Sequence, residues 1–158
     1  MFSGKRTRRS HGPGFTMMEL VFVMVIAGVL AAVAIPRFVN RSAFSARGYY
    51  EALAAAARYA EQRAVAGGCH VELRVTASGY SLLQPGSYCG NSFSMPVPKP
   101  GSGAAFTGTD PVPGATGGVP ATIVFNPDGS TDQASNVTVT VGGHTLTIHA
   151  RTGYAETG

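Results

Sequence analysis

Apolar residues follow three spacings in turn along the chain. Residues 15–35 form an unbroken, proline-free apolar run of 21 positions, interrupted by one ionisable side chain, Glu19. As a helix this run spans roughly 30 Å, the thickness of a hydrocarbon core. From Val39 onward the apolar positions step alternately by four and three, through Ala43, Ala46, Tyr50, Leu53, Ala57, Ala60 and Ala64. That spacing draws one stripe along a helix. Arg41, Arg47, Glu51, Arg58 and Glu61 fall on other faces, with Arg47 and Glu51 one turn apart. Gly67-Gly68 supplies the stop. A helix running from residue 15 to residue 66 would be about 78 Å long, and Pro36 is expected to kink or loosen it by removing a backbone hydrogen bond. The stripe is mostly alanine, a poor coiled-coil seam, so it is predicted to lie against the protein's own sheet.

Beyond Gly68 the period becomes two. Val71, Leu73 and Val75 alternate with Glu72, Arg74 and Thr76, and Ala77-Ser78-Gly79 turns the chain into Tyr80-Ser81-Leu82-Leu83, which predicts a hairpin. A further strand over residues 122–125 ends in Asn126-Pro127-Asp128-Gly129, a strong turn sequence. Gly142-Gly143 joins two more strands. It pairs Val139 with Leu146 and Val137 with Ile148 on one face, and Thr138 with Thr147 and Thr140 with Thr145 on the other. Residues 85–120 hold seven of the ten prolines and are expected to be mainly coil, or else a functional surface at the exposed end of an assembly. The predicted fold class is α+β: a long N-terminal helix packed on a small antiparallel β-domain over residues 69–158.

Composition narrows the class. The chain has 158 residues, enough for one domain, and 13% of them are charged against about 25% in an average soluble domain. The net charge of +4 comes from Lys5, Arg6, Arg8 and Arg9, since the other 8 Lys and Arg balance the 8 Asp and Glu. A basic cluster ahead of an apolar helix orients it, with residues 1–14 cytoplasmic and the rest sent outward. Three readings of the first 36 residues stay open on these grounds: a secretory signal ending at Ala32-Val33-Ala34, a plain membrane anchor, or the core helix of a soluble protein.

The residues around the basic cluster favour a fourth. Gly14-Phe15-Thr16-Met17-Met18-Glu19-Leu20 resembles the class III leader of type IV pilins and pseudopilins, with Gly, Phe, Thr, Glu and the apolar run all in register. The resemblance implies that a prepilin peptidase/methyltransferase of the inner membrane cuts between Gly14 and Phe15 and methylates the new amine of Phe15. It implies that Glu19 is the assembly carboxylate, Pro36 the helix kink, and residues 15–35 a single membrane pass. Residues 36–66 then become a periplasmic amphipathic helix, and other pilin or pseudopilin subunits become partners through the N-terminal helix. A charged acid in a bilayer costs roughly 2.5–3.5 kcal/mol on insertion scales. A cationic amine one turn away, from this chain or a neighbour, would offset that cost. Downstream, Ala56-Ala57-Arg58-Tyr59-Ala60-Glu61-Gln62-Arg63-Ala64-Val65, Ile123-Val124-Phe125-Asn126-Pro127-Asp128-Gly129 and Thr152-Gly153-Tyr154 are similar to the GspH/FimT group of minor pilins and pseudopilins. Pro36-Arg37-Phe38-Val39-Asn40-Arg41-Ser42-Ala43-Phe44, with Arg58-Tyr59-Ala60, looks closer still to minor pilins of the MSHA type. The implied function is a minor pilin of a type IV pilus. The alternatives are a GspH-like pseudopilin of type II secretion and a FimT-like DNA-binding pilin.

Other chemistry is thin. Cys69 and Cys89 lie in the segment sent to an oxidising compartment, which favours a disulfide over free thiols or a metal site. His70 lacks a paired zinc spacing, and His144 and His149 are expected on opposite faces of a strand. Asp128-Gly129-Ser130-Thr131-Asp132 faintly resembles the start of a calcium loop, but has Gln133 at its sixth position and Val139 at its twelfth. No nucleophile elbow, phosphate loop or supported catalytic triad appears, so no enzyme, metal or cofactor is expected. The neutral body and a C-terminal segment with one Arg and one Glu argue against DNA as a partner.

Overall fold

A computed structural model describes residues 14–34, 41–112 and 116–158. The chain divides into two compact units, residues 1–40 and 41–158. In the first, α1 (Met17–Ala34) is an 18-residue helix of about 27 Å. Ile35, Pro36, Val39 and the leader through Pro13 fall outside the described residues, as does the continuity of the helix through residue 36.

The second unit opens with α2 (Arg41–Gly67), which ends where Gly68 takes φ +62°, the left-handed conformation that closes a helix with little strain for glycine. Among the described residues nine strands follow, in two antiparallel sheets. In the first sheet, β1 (Val71–Thr76) lies between β2 (Gly79–Pro85) and β6 (Ala121–Phe125), while β3 (Phe93–Pro96) and β4 (Thr107–Thr109) both pair with β2. The second sheet runs β5 (Thr116–Gly117), β7 (Val137–Val141), β8 (His144–Ile148), β9 (Ala155–Thr157).

Each predicted pair of the β7–β8 hairpin is present: Val137 with Ile148, Thr138 with Thr147, Val139 with Leu146, Thr140 with Thr145. Gly142 and Gly143 both have positive φ, as a tight two-residue turn requires. Residues 85–120 depart from the expected coil. They contribute β3, β4 and β5, and Val97 between them is fully buried. These strands have two to four residues each, too few for a period-two pattern to stand out among prolines and glycines.

The α2 stripe is buried as predicted from Ala46 to Ala64, whereas Ala43 is exposed. Tyr49, Ala54 and Ala56 are buried as well. The buried face is wider than one stripe because α2 packs on strands of both sheets, against Leu73, Leu82 and Ile123 of one and Val139, Leu146 and Ile148 of the other. Alanine keeps the approach close. A Cβ at Gly142 would lie only 2.7 Å from the Cβ of Ala46. Polar contacts fix the helix: the Tyr50 hydroxyl donates to the Thr145 carbonyl at 2.9 Å, and the Arg58 guanidinium to the Ala155 carbonyl at 3.4 Å.

Candidate assembly surface

The start of α1 is built by local chemistry. Thr16 precedes the helix, and its hydroxyl accepts the backbone N–H of Glu19 at 3.2 Å, while its carbonyl accepts that of Leu20 at 3.2 Å. This is an N-cap, and Thr16-x-x-Glu19 is the sequence pattern of a capping box. Only half of the box is closed: among the described residues the Glu19 carboxylate accepts no hydrogen bond and forms no ion pair. An acid in the first turn also sits at the favourable end of the helix dipole.

Through Leu30 the rest of α1 is apolar on every side and open. Met17, Leu20, Phe22, Ile26 and Leu30 are all more than half exposed, with Met17 at 91%, as is Phe15 ahead of the helix. Among the described residues no helix is long and apolar enough to cross a membrane. On α2, the face turned away from the sheets carries Phe44, 86% exposed, then Arg47, Glu51 and Val65. Arg47 and Glu51 form no ion pair; the pairs among the described residues are Arg74–Glu72 at 2.6 Å and His149–Glu156 at 2.8 Å.

At the far end of α2, Cys69 and Cys89 are joined, their Cα atoms 4.8 Å apart and inside the usual range for a disulfide. The bond ties the helix exit to the loop after β2 and borders a cleft of about 260 Å³ lined by Arg63, His70, Gln84 and Tyr88. His70 is held by Asn126 Oδ1 at 3.0 Å from its Nδ1.

The calcium-like segment is an ordinary turn whose acids are already occupied. Asp128 Oδ1 accepts the hydroxyl and the backbone N–H of Ser130, and those two bonds hold its carboxyl below the usual range. Asp132 Oδ1 accepts the N–H of Val124. His144 lies against the Tyr50 ring, with centroids 5.1 Å apart, while His149 faces Glu156, so the two histidines do not meet. Among the described residues no group of three His, Cys, Asp or Glu could hold a metal ion.

One buried polar cluster escaped the sequence reading. Asp110, just after β4, accepts Thr116 Oγ1 at 2.5 Å and the N–H of Val112 at 2.9 Å. Beside it the Tyr49 hydroxyl of α2 is buried without a hydrogen-bond partner among the described residues. Burial, then the charge of Asp110, then Tyr80, push the Tyr49 hydroxyl up to about 12. Thr116 pulls slightly the other way without reaching hydrogen-bonding geometry with Tyr49, since its proton goes to Asp110.

The motifs downstream converge on one corner. A Cβ at Gly153 would lie 2.5 Å from the Gly129 carbonyl oxygen and 3.2 Å from the Phe125 ring, so the turn after β6 and the segment around Gly153 are packed backbone to backbone. The turn after β6 and Gly153 lie within residues 50–153, the stretch matched by the profile of the family described as "Type II transport protein GspH". The chain belongs to the GspH family. That match takes in most of α2 and β1 through β8, begins after α1 and ends before β9. The type IV narrow pilus major component PilA5 of Thermus thermophilus is 47% identical over 47 residues, covering 30% of this chain and 40% of that protein. The chain therefore spans two fifths of the length of that relative. No solved structure matches.

Proposed function

We propose that the protein is a minor pilin or pseudopilin: a non-enzymatic structural subunit of a filament assembled from the inner membrane, in the first instance a type IV pilus of MSHA type close to its minor pilin MshC. Membership of the GspH family and the partial likeness to a pilus component support a subunit role. The observation that carries the assembly mechanism is the uncommitted Glu19 carboxylate on a capped, wholly apolar helix. Residues 1–14 are a cytoplasmic leader, removed by the prepilin peptidase between Gly14 and Phe15, and the same enzyme methylates the Phe15 amine. The cap at Thr16 lies entirely on the retained side of that bond, so cleavage leaves the helix start intact.

Residues 15–35 cross the membrane once, which leaves the β-domain in the periplasm. During assembly Glu19 of one subunit takes the amine of its neighbour. A head-to-tail contact of this kind does not close on itself and so builds an open helical fibre. Glu19→Ala is expected to insert normally while its recovery in sheared filaments falls at least tenfold. Undiminished recovery would overturn the mechanism.

The family's description favours a second reading, a GspH-like pseudopilin of type II secretion. Deletion of the gene separates the two: loss of surface filaments supports the pilus, and loss of secreted enzymes supports the pseudopilus. The FimT-like DNA-binding reading predicts a salt-dependent gel shift, which a body with balanced charge is not expected to give.

A further inference from the structure

The outer edge of the first sheet is closed by side chains. β6 pairs with β1 through one edge, and its opposite edge presents the backbone groups of Thr122 and Val124. These are occupied by residues 130–133. Asp132 Oδ1 accepts the Val124 N–H at 2.9 Å, the Asp132 N–H donates to the Val124 carbonyl at 3.0 Å, and the Gln133 amide donates to the Thr122 carbonyl at 3.1 Å. The Asn126 N–H just beyond donates to the Ser130 carbonyl at 2.8 Å. Thr131 anchors the segment to the other sheet, its N–H and hydroxyl both donating to the Ala150 carbonyl, at 2.8 and 3.0 Å.

β6 is the strand with most need of such a cover. Its sequence, Ala121-Thr122-Ile123-Val124-Phe125, is uncharged, proline-free and rich in β-branched residues, the composition that pairs readily with other strands. The other outer strands are shorter: β3 ends in Pro96, β5 has two residues, and β9 has three with its Ala155 carbonyl taken by Arg58.

We propose that residues 130–133 are a strap that occupies the β6 edge and keeps it from pairing with β6 of a second copy of this chain. Subunit contacts are thereby left to the helices. The edge beneath the strap is a latent interaction surface, shaped by its backbone hydrogen-bonding groups for one antiparallel strand. This inference does not depend on the filament reading and holds equally for a lone β-domain.

Its test uses the full chain in detergent micelles. In Asp132→Ala/Gln133→Ala the Thr131 anchor is retained, while the backbone bond from Asp132 to Val124, left without its two side-chain supports, is expected to open and free the edge. The Val124 amide is expected to exchange at least tenfold faster than in the wild type while the Thr131 amide stays protected. Sedimentation should also show a concentration-dependent species of twice the subunit mass. Adding Thr122→Lys, a charge on the exposed edge, should abolish that species. The single variant Asp132→Ala gives a milder test and should raise Val124 exchange alone. Unchanged exchange at Val124, an equal rise at Thr131, absence of the double-mass species, or a double-mass species indifferent to Thr122→Lys would each overturn the proposal.

Discussion

Gly142 offers the sharpest test of how α2 is seated on the second sheet. It lies in the β7–β8 turn with φ +55°, and a Cβ there would stand 2.7 Å from the Cβ of Ala46. Gly142→Ala therefore meets two penalties. A left-handed conformation costs an L-residue about 1–2 kcal/mol. Carbon atoms settle at about 3.5–4.0 Å, so helix and turn must separate by roughly 1 Å, and overpacking of this kind costs about 1–3 kcal/mol. The stiffer unfolded chain returns about 0.4–1 kcal/mol. The expected loss is about 1.5–4 kcal/mol, or roughly 4 °C in melting temperature for each kcal/mol.

Ala46→Gly alone should cost about 0.5–1 kcal/mol as a glycine inside a helix. In the double variant the clash is gone and only the turn strain and the helix penalty remain. Urea titrations of the four proteins, followed by circular dichroism in micelles, close the cycle. A coupling of about 1–3 kcal/mol in favour of the double variant is expected. Additive losses, or a neutral Gly142→Ala, would refute the close seating of the helix.

Cys69→Ser should destabilise the β-domain by about 3 kcal/mol, from the loop entropy released when cysteines 20 residues apart are no longer joined; denaturation with and without reductant measures it, and a wild type indifferent to reductant contradicts it. Tyr49 predicts an alkaline loss. Its hydroxyl binds a proton more tightly folded, at about 12, than unfolded, at 10.0, so its contribution is full below pH 10 and disappears between pH 10 and 12. The loss amounts to about 2–3 kcal/mol. Tyr49→Phe should flatten that slope, and an unchanged slope would assign it to other groups. Asp128 acts in the opposite direction. Its carboxyl is held below 3.8 by Ser130, so the turn's contribution is present above that pH and fades as pH falls through the lowered value; Asp128→Asn should be less sensitive to acid below pH 3.8.

The parts of the fold that were legible are those where one local rule decides the outcome. The β7–β8 register follows from a Gly-Gly turn between strict alternations, so every pair is fixed by the residues themselves. The stop of α2 at Gly68 and the Cys69–Cys89 bond followed equally from residue type and position. Where two surfaces compete, the sequence carries less. Tyr49, Ala54 and Ala56 are buried because a second sheet covers the flank of α2, a long-range fact that no single period records. The short strands within residues 85–120 owe their existence to neighbours that offer an edge, β2 for two of them and β7 for the third. The strap on β6 works through Asp132 and Gln133 side chains that bond to backbone, and such contacts leave no periodic trace. At the start of α1, Glu19 stood out as the lone acid of an apolar run, whereas the role of Thr16 in holding the helix start needed the observed hydrogen bond.

The account rests on a new amine being released one turn before Glu19. Intact-mass and N-terminal peptide spectrometry of the protein recovered from sheared filaments measures this directly. A chain that begins at Phe15 and carries one methyl group on its amine is the predicted result. A chain that keeps Met1, or one trimmed after Ala34, would contradict it.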